Sequence, residues 1–407
     1  MTIKPRTMLF WMHLTAGSLA GIVILVLSLT GVLLMYEQQI VSWSERGYDL
    51  DGLPADAGRI PMPMETLLAR VGEQRKGMPS AITLRSDVFK PIELAYGRQE
   101  IVFVNPYSGQ VIGEGSRRVR GFFRRVEDWH RWLGMEGHGR AVGRAITGAC
   151  NLVFLFIVVS GLYLWWPRQW GWRRIRPVLW FRRGLSGRPR DFNWHSSIGF
   201  WCAIPLFLVV ISGAVMSYPW ANDLLYRMTG NVPPPRQGVT ERSASALARR
   251  NGGRDGNASA ALRSGPGVDG MNQLWERARE LAPGWKVITL RLPRSGSYRF
   301  AFSIERGGRG RVDLRSQLMF DRDGSVASVE NFESYNAGRR LRSWLRFIHT
   351  GEAGGLPGQT VAGFASLGAL MLVWTGLSMS WHRFRQWRRS RFNTAQRAPE
   401  DVAVLVE

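Results

Sequence analysis

The 407 residues include six histidines, and five of them, His13, His130, His195, His349 and His382, stand at the ends of long apolar runs. An imidazole at the edge of a membrane span is costly to bury unless it has work, and its commonest work is to ligate a metal or a haem iron. Other chemistry finds little footing. Cys150 and Cys202 fall inside apolar runs and outside any metal-binding spacing, so no disulfide framework or thiolate site is expected. The chain has no His-Glu-x-x-His and no Gly-x-Ser-x-Gly, the signatures of common metal and serine hydrolases. His349-Thr350-Gly351-Glu352 sets a carboxylate three residues after an imidazole, but the Gly-rich stretch that follows argues against the helix such a site needs.

The elements that must position these imidazoles are membrane helices. Four apolar segments, 14–36, 145–166, 196–220 and 360–381, each have the roughly 20 residues needed to cross a bilayer core of about 30 Å. Lys4 and Arg6 precede the first, Arg168, Arg173, Arg174, Arg176, Arg182, Arg183, Arg188 and Arg190 fill the short loop after the second, and Arg383, Arg385, Arg388 and Arg389 follow the fourth. Short basic loops stay in the cytoplasm, so both termini and the Arg-rich loop are expected inside and the two long loops outside. Met35-Tyr36-Glu37-Gln38 offers no small-residue cleavage site, and the first span is read as an uncleaved anchor. The net charge of +23 would suit nucleic acid. Its densest clusters abut spans, however, and topology with anionic lipid accounts for them, so nucleic acid is not an expected partner.

The chain repeats itself. Trp11-Met12-His13 opens the first span and Trp194-His195 the third; each histidine is followed by Gly at i+4, and later by Thr30-Gly31 or Ser212-Gly213. Spans two and four share Ser160-Gly161-Leu162 and Thr375-Gly376-Leu377, with Trp165-Trp166 matching Trp381. These small pairs are read as helix-packing positions, because Gly and small hydroxyl residues let transmembrane backbones approach closely. The outer loops repeat too. Residues 61–71 and 271–281 read as helices, 81–84, 92–96, 286–292 and 298–304 as strands, and 100–112 and 317–326 as hairpins.

The expected fold is therefore a membrane α-helical protein with four transmembrane helices in two pseudo-symmetric pairs and two periplasmic α+β modules. Its parts are a first span at 1–36, module 1 at 37–123, an interfacial helix at 124–143 and a second span at 144–167. An Arg-rich cytoplasmic loop at 168–192 leads to a third span at 193–220. Module 2 follows at 221–338, with a flexible insertion near 237–270, then an interfacial helix at 339–356, a fourth span at 357–382 and a cytoplasmic tail at 383–407.

Two modules, one ending Asn105-Pro106-Tyr107-Ser108-Gly109 and one ending Asp321-Arg322-Asp323-Gly324, alternate with spans carrying Thr30-Gly31 and Gly161-Leu162-Tyr163-Leu164-Trp165-Trp166. With His349-Thr350-Gly351-Glu352 before Pro357-Gly358, the chain resembles, over nearly its whole length, the PepSY-associated transmembrane family of bacterial inner-membrane proteins. The family is functionally mixed. Its best understood branch consists of siderophore reductases that bind two haems, and the resemblance implies that activity here.

Topology and repetition together suggest which histidines meet. His13 and His195 hold equivalent places at the cytoplasmic ends of spans one and three, and would face each other across a pseudo-twofold axis. His130 and His349 each close a basic, aromatic segment of the kind expected of an interfacial helix, and would form a second pair near the periplasmic face. Two neutral imidazoles on opposite sides of a porphyrin give a six-coordinate iron suited to electron transfer. The expected cofactors are two haems b, with Arg124, Arg125, Arg131 and Arg346 as propionate partners because guanidinium matches carboxylate geometry. His382, whose counterpart is Pro167, and His138 are reserve ligands.

The expected function is an oxidoreductase in the bacterial inner membrane that passes electrons across the bilayer to a periplasmic ferric siderophore or similar chelate during iron uptake. The donor lies on the cytoplasmic or membrane side, since the chain has no flavin or nicotinamide fingerprint of its own. The alternative is a membrane-anchored PepSY binding or regulatory protein without redox activity, which would have no need of the histidine arrangement.

Overall fold

The structure is a computed structural model that describes residues 4–50, 60–97, 100–167, 171–234, 270–292, 299–308, 310–321 and 324–403. The expected insertion near 237–270 lies almost wholly outside these residues.

Among the described residues four helices are long and apolar enough to cross a membrane: α1 (Pro5–Met35), α5 (Gly139–Trp165), α7 (Gly187–Ser217) and α11, which runs Gly355–Ala403 and whose apolar part falls within its first 36 residues. They pack in a ring, α1 on α5, α5 on α7, α7 on α11 and α11 on α1. Their outward faces expose Leu19, Ile22, Ile204 and Phe364, each by two thirds or more, as helices solvated by acyl chains do. All four overrun the apolar windows of the sequence. Polar first turns such as Gly187-Arg188-Pro189-Arg190 satisfy no hydropathy criterion yet continue the same hydrogen-bonded helix. As a result His13 and His195 lie well inside helices rather than at their ends, and the expected tail at 383–407 begins as a continuation of α11.

Between α1 and α5 the chain builds α2 (Glu37–Ser44), α3 (Met64–Gln74), strands β1 (Ala81–Arg85), β2 (Ile92–Tyr96), β3 (Glu100–Val104) and β4 (Val111–Glu114), and α4 (Arg117–Trp132). A short helix α6 (Trp172–Leu179) follows α5. After α7 come α8 (Pro219–Met228), α9 (Met271–Glu280), β5 (Val287–Arg291), β6 (Phe300–Glu305), β7 (Arg315–Phe320), β8 (Val326–Asn331) and α10 (Ala337–His349).

The two α+β segments share one antiparallel sheet, ordered β4-β3-β2-β1-β5-β6-β7-β8. The seam is β1 against β5, with Ile82 opposite Leu290, Thr83 opposite Thr289 and Leu84 opposite Ile288. Ile82-Thr83-Leu84-Arg85 and Ile288-Thr289-Leu290-Arg291 are the same four residues, so the seam pairs like with like about a centre at Thr83 and Thr289, whose hydroxyl oxygens are 3.1 Å apart. The helices repeat the exchange: Asn272 donates its N–H to the Glu65 carboxylate and Glu65 donates its own to Asn272 Oδ1, both at 3.1 Å. Alternate strand residues, among them Ile82, Leu94, Val102, Ile288, Leu290 and Ile304, join Leu67, Val71, Leu274 and Ala278 in one core under α3 and α9.

The other face of the sheet turns toward the membrane helices. Phe103 on that face stacks on Tyr48 at 4.8 Å, just beyond α2, and the Arg315 guanidinium lies 4.7 Å above the ring of Phe347, two residues before His349. Helix α4 packs on α1 and α5, and α10 packs on α7 and α8. The last residues of α4 and α10 are thereby pressed against the two spans that precede them in sequence.

Candidate functional site

Four of the six histidines are held in the same way. His13 on α1 meets Ser160 on α5 (Nδ1 to Oγ, 2.8 Å), and His195 on α7 meets Thr375 on α11 (2.9 Å). His130 on α4 meets Thr30 on α1 (2.9 Å), and His349 on α10 meets Ser212 on α7 (3.3 Å) and the Val209 carbonyl (2.9 Å). Each hydroxyl belongs to a Ser-Gly or Thr-Gly pair, and the glycine gives the ring its room. A methyl group at Gly31, Gly161, Gly213 or Gly376 would stand 3.6, 3.2, 3.1 or 3.4 Å from the Cε1 of the respective imidazole. The small pairs, expected to serve helix packing, are in fact imidazole cradles. The sequence showed their number, one such pair in each of the four spans and four histidines to match, but not their use.

The hydrogen bonds fix the tautomer. Every cradle hydroxyl donates its one proton into its own helix: Thr30 to the Val26 carbonyl (2.6 Å), Ser160 to Ile157 (3.2 Å), Ser212 to Val209 (2.8 Å) and Thr375 to Met371 (2.7 Å). Its oxygen can then only accept, so the imidazole Nδ1 must carry the proton and donate. At His349 a backbone carbonyl reinforces this, since Val209 accepts from the same Nδ1 at 2.9 Å. The lone pair is left on Nε2, which has no hydrogen-bond partner among the described residues. A ring whose Nδ1–H is anchored and whose Nε2 is free has the preparation of a metal-ligating histidine.

Charge supports the same state at the sheet-proximal pair. Burial and the neighbouring His349 hold the His130 imidazole down to about 4, and burial lowers His349 as well. Both rings are therefore neutral at pH 7, as ligation requires.

The four imidazoles form two pairs at two depths. His130 and His349 face each other with ring centroids 6.2 Å apart and planes inclined at 58°. Metal–imidazole bonds are about 2 Å and a ring centroid lies about 1 Å behind its nitrogen, so two imidazoles flanking one iron have centroids about 6 Å apart. His13 is the electrostatic neighbour of His195 in the sheet-distal pair. Thr30 follows His13 by 17 residues and Ser212 follows His195 by 17. At 1.5 Å per residue the two levels are about 25 Å apart along the helices, most of a bilayer core. Between them lie Leu206, Ala365 and Ala369, packed with Phe154, Cys202 and Leu372.

Among the described residues no group of three or more His, Cys, Asp or Glu is placed to hold a bare metal ion. Two imidazoles leave an octahedral ion four positions short, and a porphyrin supplies four nitrogens. The donor set, its protonation and the spacing of the sheet-proximal rings all fit haem.

The remaining expected residues have the following surroundings. Arg131 pairs with Glu127 at 2.8 Å and lies over the Trp132 ring, and Arg125 reaches the Gly121 carbonyl at 3.5 Å. Arg124 is half-buried and Arg346 exposed, each on the helix that carries one of the facing rings. His138 is exposed at the start of α5 and joins neither pair. His382, also exposed, lies one turn past Ser378, whose hydroxyl donates to the buried Asp191 carboxylate at 2.7 Å, and it too stays outside the pairs.

No curated protein matches the chain. A family model does, that of the PepSY-associated TM region, over residues 10–383. With its four apolar helices, its antiparallel sheet domain and this match over nearly its whole length, the chain belongs to the PepSY-associated transmembrane family.

Proposed function

We propose that the protein is a two-haem oxidoreductase of the bacterial inner membrane that carries electrons across the bilayer to a periplasmic ferric siderophore or similar chelate, releasing iron as Fe(II) during uptake. The observation that carries this reading is the set of four anchored, Nδ1-protonated imidazoles, of which His130 and His349 face each other. An anchor for a binding module has no use for them.

On this reading His13 and His195 hold one haem b, and His130 and His349 the other. Held by these four imidazoles, haem b would supply reversible one-electron redox chemistry. The protein's own part is positioning. Thr30, Ser160, Ser212 and Thr375 hold the rings in one tautomer, the four glycines leave them space, and the apolar layer around Leu206 and Ala369 keeps water from the path between the two levels. Arg124, Arg125, Arg131 and Arg346, on the two helices that carry His130 and His349, are the residues that would pair with the propionates. The face of the sheet opposite α3 and α9, tied toward that pair by Tyr48 and Arg315, is the side from which the acceptor would approach. The substrate's chemistry fits: hard oxygen chelators favour Fe(III), so one electron per iron loosens the metal and leaves the chelator intact. The basic flanks favour a cytoplasmic side for both termini and the α5–α7 connection, and a periplasmic side for the sheet. The electron donor acts from the cytoplasmic side or from within the membrane.

The test is an absorption spectrum of the purified protein before and after dithionite. A Soret band that sharpens and shifts on reduction is expected, with two haems per chain by pyridine haemochrome. Alanine at His13, His195, His130 or His349 should each lower that count by about one, and alanine at His138 or His382 should leave it unchanged. A protein without a Soret band ends the reading.

A further inference from the structure

The segment between α5 and α7 carries a second recognisable surface. From Gly171 to Arg190 the sequence contains seven arginines and no acidic residue. Arg173, Arg176, Arg182 and Arg183 are exposed, and none meets a carboxylate among the described residues. Farther along, Arg190 does pair, with Asp191 at 3.0 Å. Beside the four unneutralised guanidiniums lie large aromatic rings. Trp172, Trp180, Phe181 and Trp201 are each more than half exposed, and Trp172, Trp180 and Trp201 form an edge-to-face series with centroids 6.3 and 5.9 Å apart.

The surface is also held rigidly. The carbonyls that end α6 are each satisfied by a side chain of α7: Val178 by Ser197 Oγ (2.9 Å), Leu179 by Trp201 Nε1 (3.0 Å) and Trp180 by Asn193 Nδ2 (3.2 Å). These bonds seat α6 along a span, at the depth where Trp201 marks the entry into apolar surroundings. In a bilayer, guanidiniums at the headgroup level pair with phosphates, and indoles there pack on the first methylenes of acyl chains.

We propose that α6 and the turn after it bind the headgroup of an anionic phospholipid, with Arg173, Arg176, Arg182 and Arg183 on the phosphate and Trp172, Trp180 and Trp201 against the acyl chains. A soluble anion satisfies the arginines and leaves the aromatic rings in water; a neutral lipid does the reverse. Only a lipid with a net negative headgroup satisfies both. Asn193 and Ser197, which grip α6, flank His195 on either side, so bound lipid braces the helix that carries this ring. The assignment stands whether or not the histidines hold haem.

The experiment uses the full chain in mild detergent, titrated with phosphatidylglycerol or phosphatidylcholine and read by native mass spectrometry. Each cationic side chain near an anionic surface contributes about 1 kcal/mol, or about fivefold. Replacing all four arginines by glutamine should therefore weaken phosphatidylglycerol retention by more than tenfold. Replacing them by lysine should restore most of it, which separates loss of charge from misfolding. A control of equal charge change, Arg227, Arg277, Arg291 and Arg299 to glutamine, should bind as the wild type does. Equal retention of both lipids by the wild type, retention within twofold by the glutamine variant, or competition by a short RNA as effective as by phosphatidylglycerol overturns the assignment.

Discussion

Thr30→Val separates a prepared ligand from a merely buried histidine. Valine keeps the shape of threonine and removes the oxygen that His130 Nδ1 donates to at 2.9 Å. Because the Thr30 proton is committed to the Val26 carbonyl at 2.6 Å, that oxygen can do nothing but accept, and its loss bears directly on the imidazole. A net hydrogen bond of this kind stabilises by about 0.5–1.5 kcal/mol, and removing an outer-shell partner of a metal ligand typically costs about 10–100-fold in affinity. At the lower end of that range, about tenfold weaker holding of one haem is expected. The assay is transfer of haem to excess apo-globin, followed in the Soret region. Thr30→Val should show one fast phase, about tenfold faster than wild type, and one unchanged phase from the His13–His195 pair. Thr30→Ser, which keeps the acceptor, should release both haems at the wild-type rate. Equal rates for valine and serine would refute the tautomer argument, and acceleration of both phases would refute the independence of the two pairs.

Further outcomes follow from other contacts. Gly213→Ala sets a methyl 3.1 Å from His349 Cε1 and should broaden the low-spin signals of one haem in electron paramagnetic resonance, whereas Gly31→Ala, with 3.6 Å to His130, should leave them sharp. Glu37, at the start of α2, has its carboxyl raised by burial and by Glu127. The folded state thus binds more protons than the unfolded one, and stability falls as pH rises through that window. Glu37→Gln should raise the melting temperature at pH 7, with the advantage vanishing at pH 4, and a gain that persists there would contradict the assignment. Ile288→Ala empties a fully buried position in β5 and should cost about 2–5 kcal/mol. Because β5 pairs with β1, faster amide exchange should appear in β1 and β2 as well as in β5 and β6; confinement to β5–β8 would mean that the halves of the sheet fold separately.

The sequence by itself determined much. Apolar length fixed four spans, because a bilayer demands some 20 residues whose backbone is satisfied internally, and basic flanks predicted their direction. Alternation of apolar residues located the strands, and the placement of histidines singled out the four whose Nδ1 meets a hydroxyl of a span, two of which, His130 and His349, face each other. The tertiary structure decided three things that no local pattern could. The two α+β segments form one sheet, since pairing of β1 with β5 joins residues some 200 positions apart and hydropathy does not register hydrogen-bonding partners. The Ser-Gly and Thr-Gly pairs hold imidazoles, because a small residue in a span looks the same in sequence whether it admits a neighbouring backbone or a ring. And the tautomer of each histidine rests on where a hydroxyl sends its single proton, a matter of a few tenths of an ångström between helices that only their packing sets.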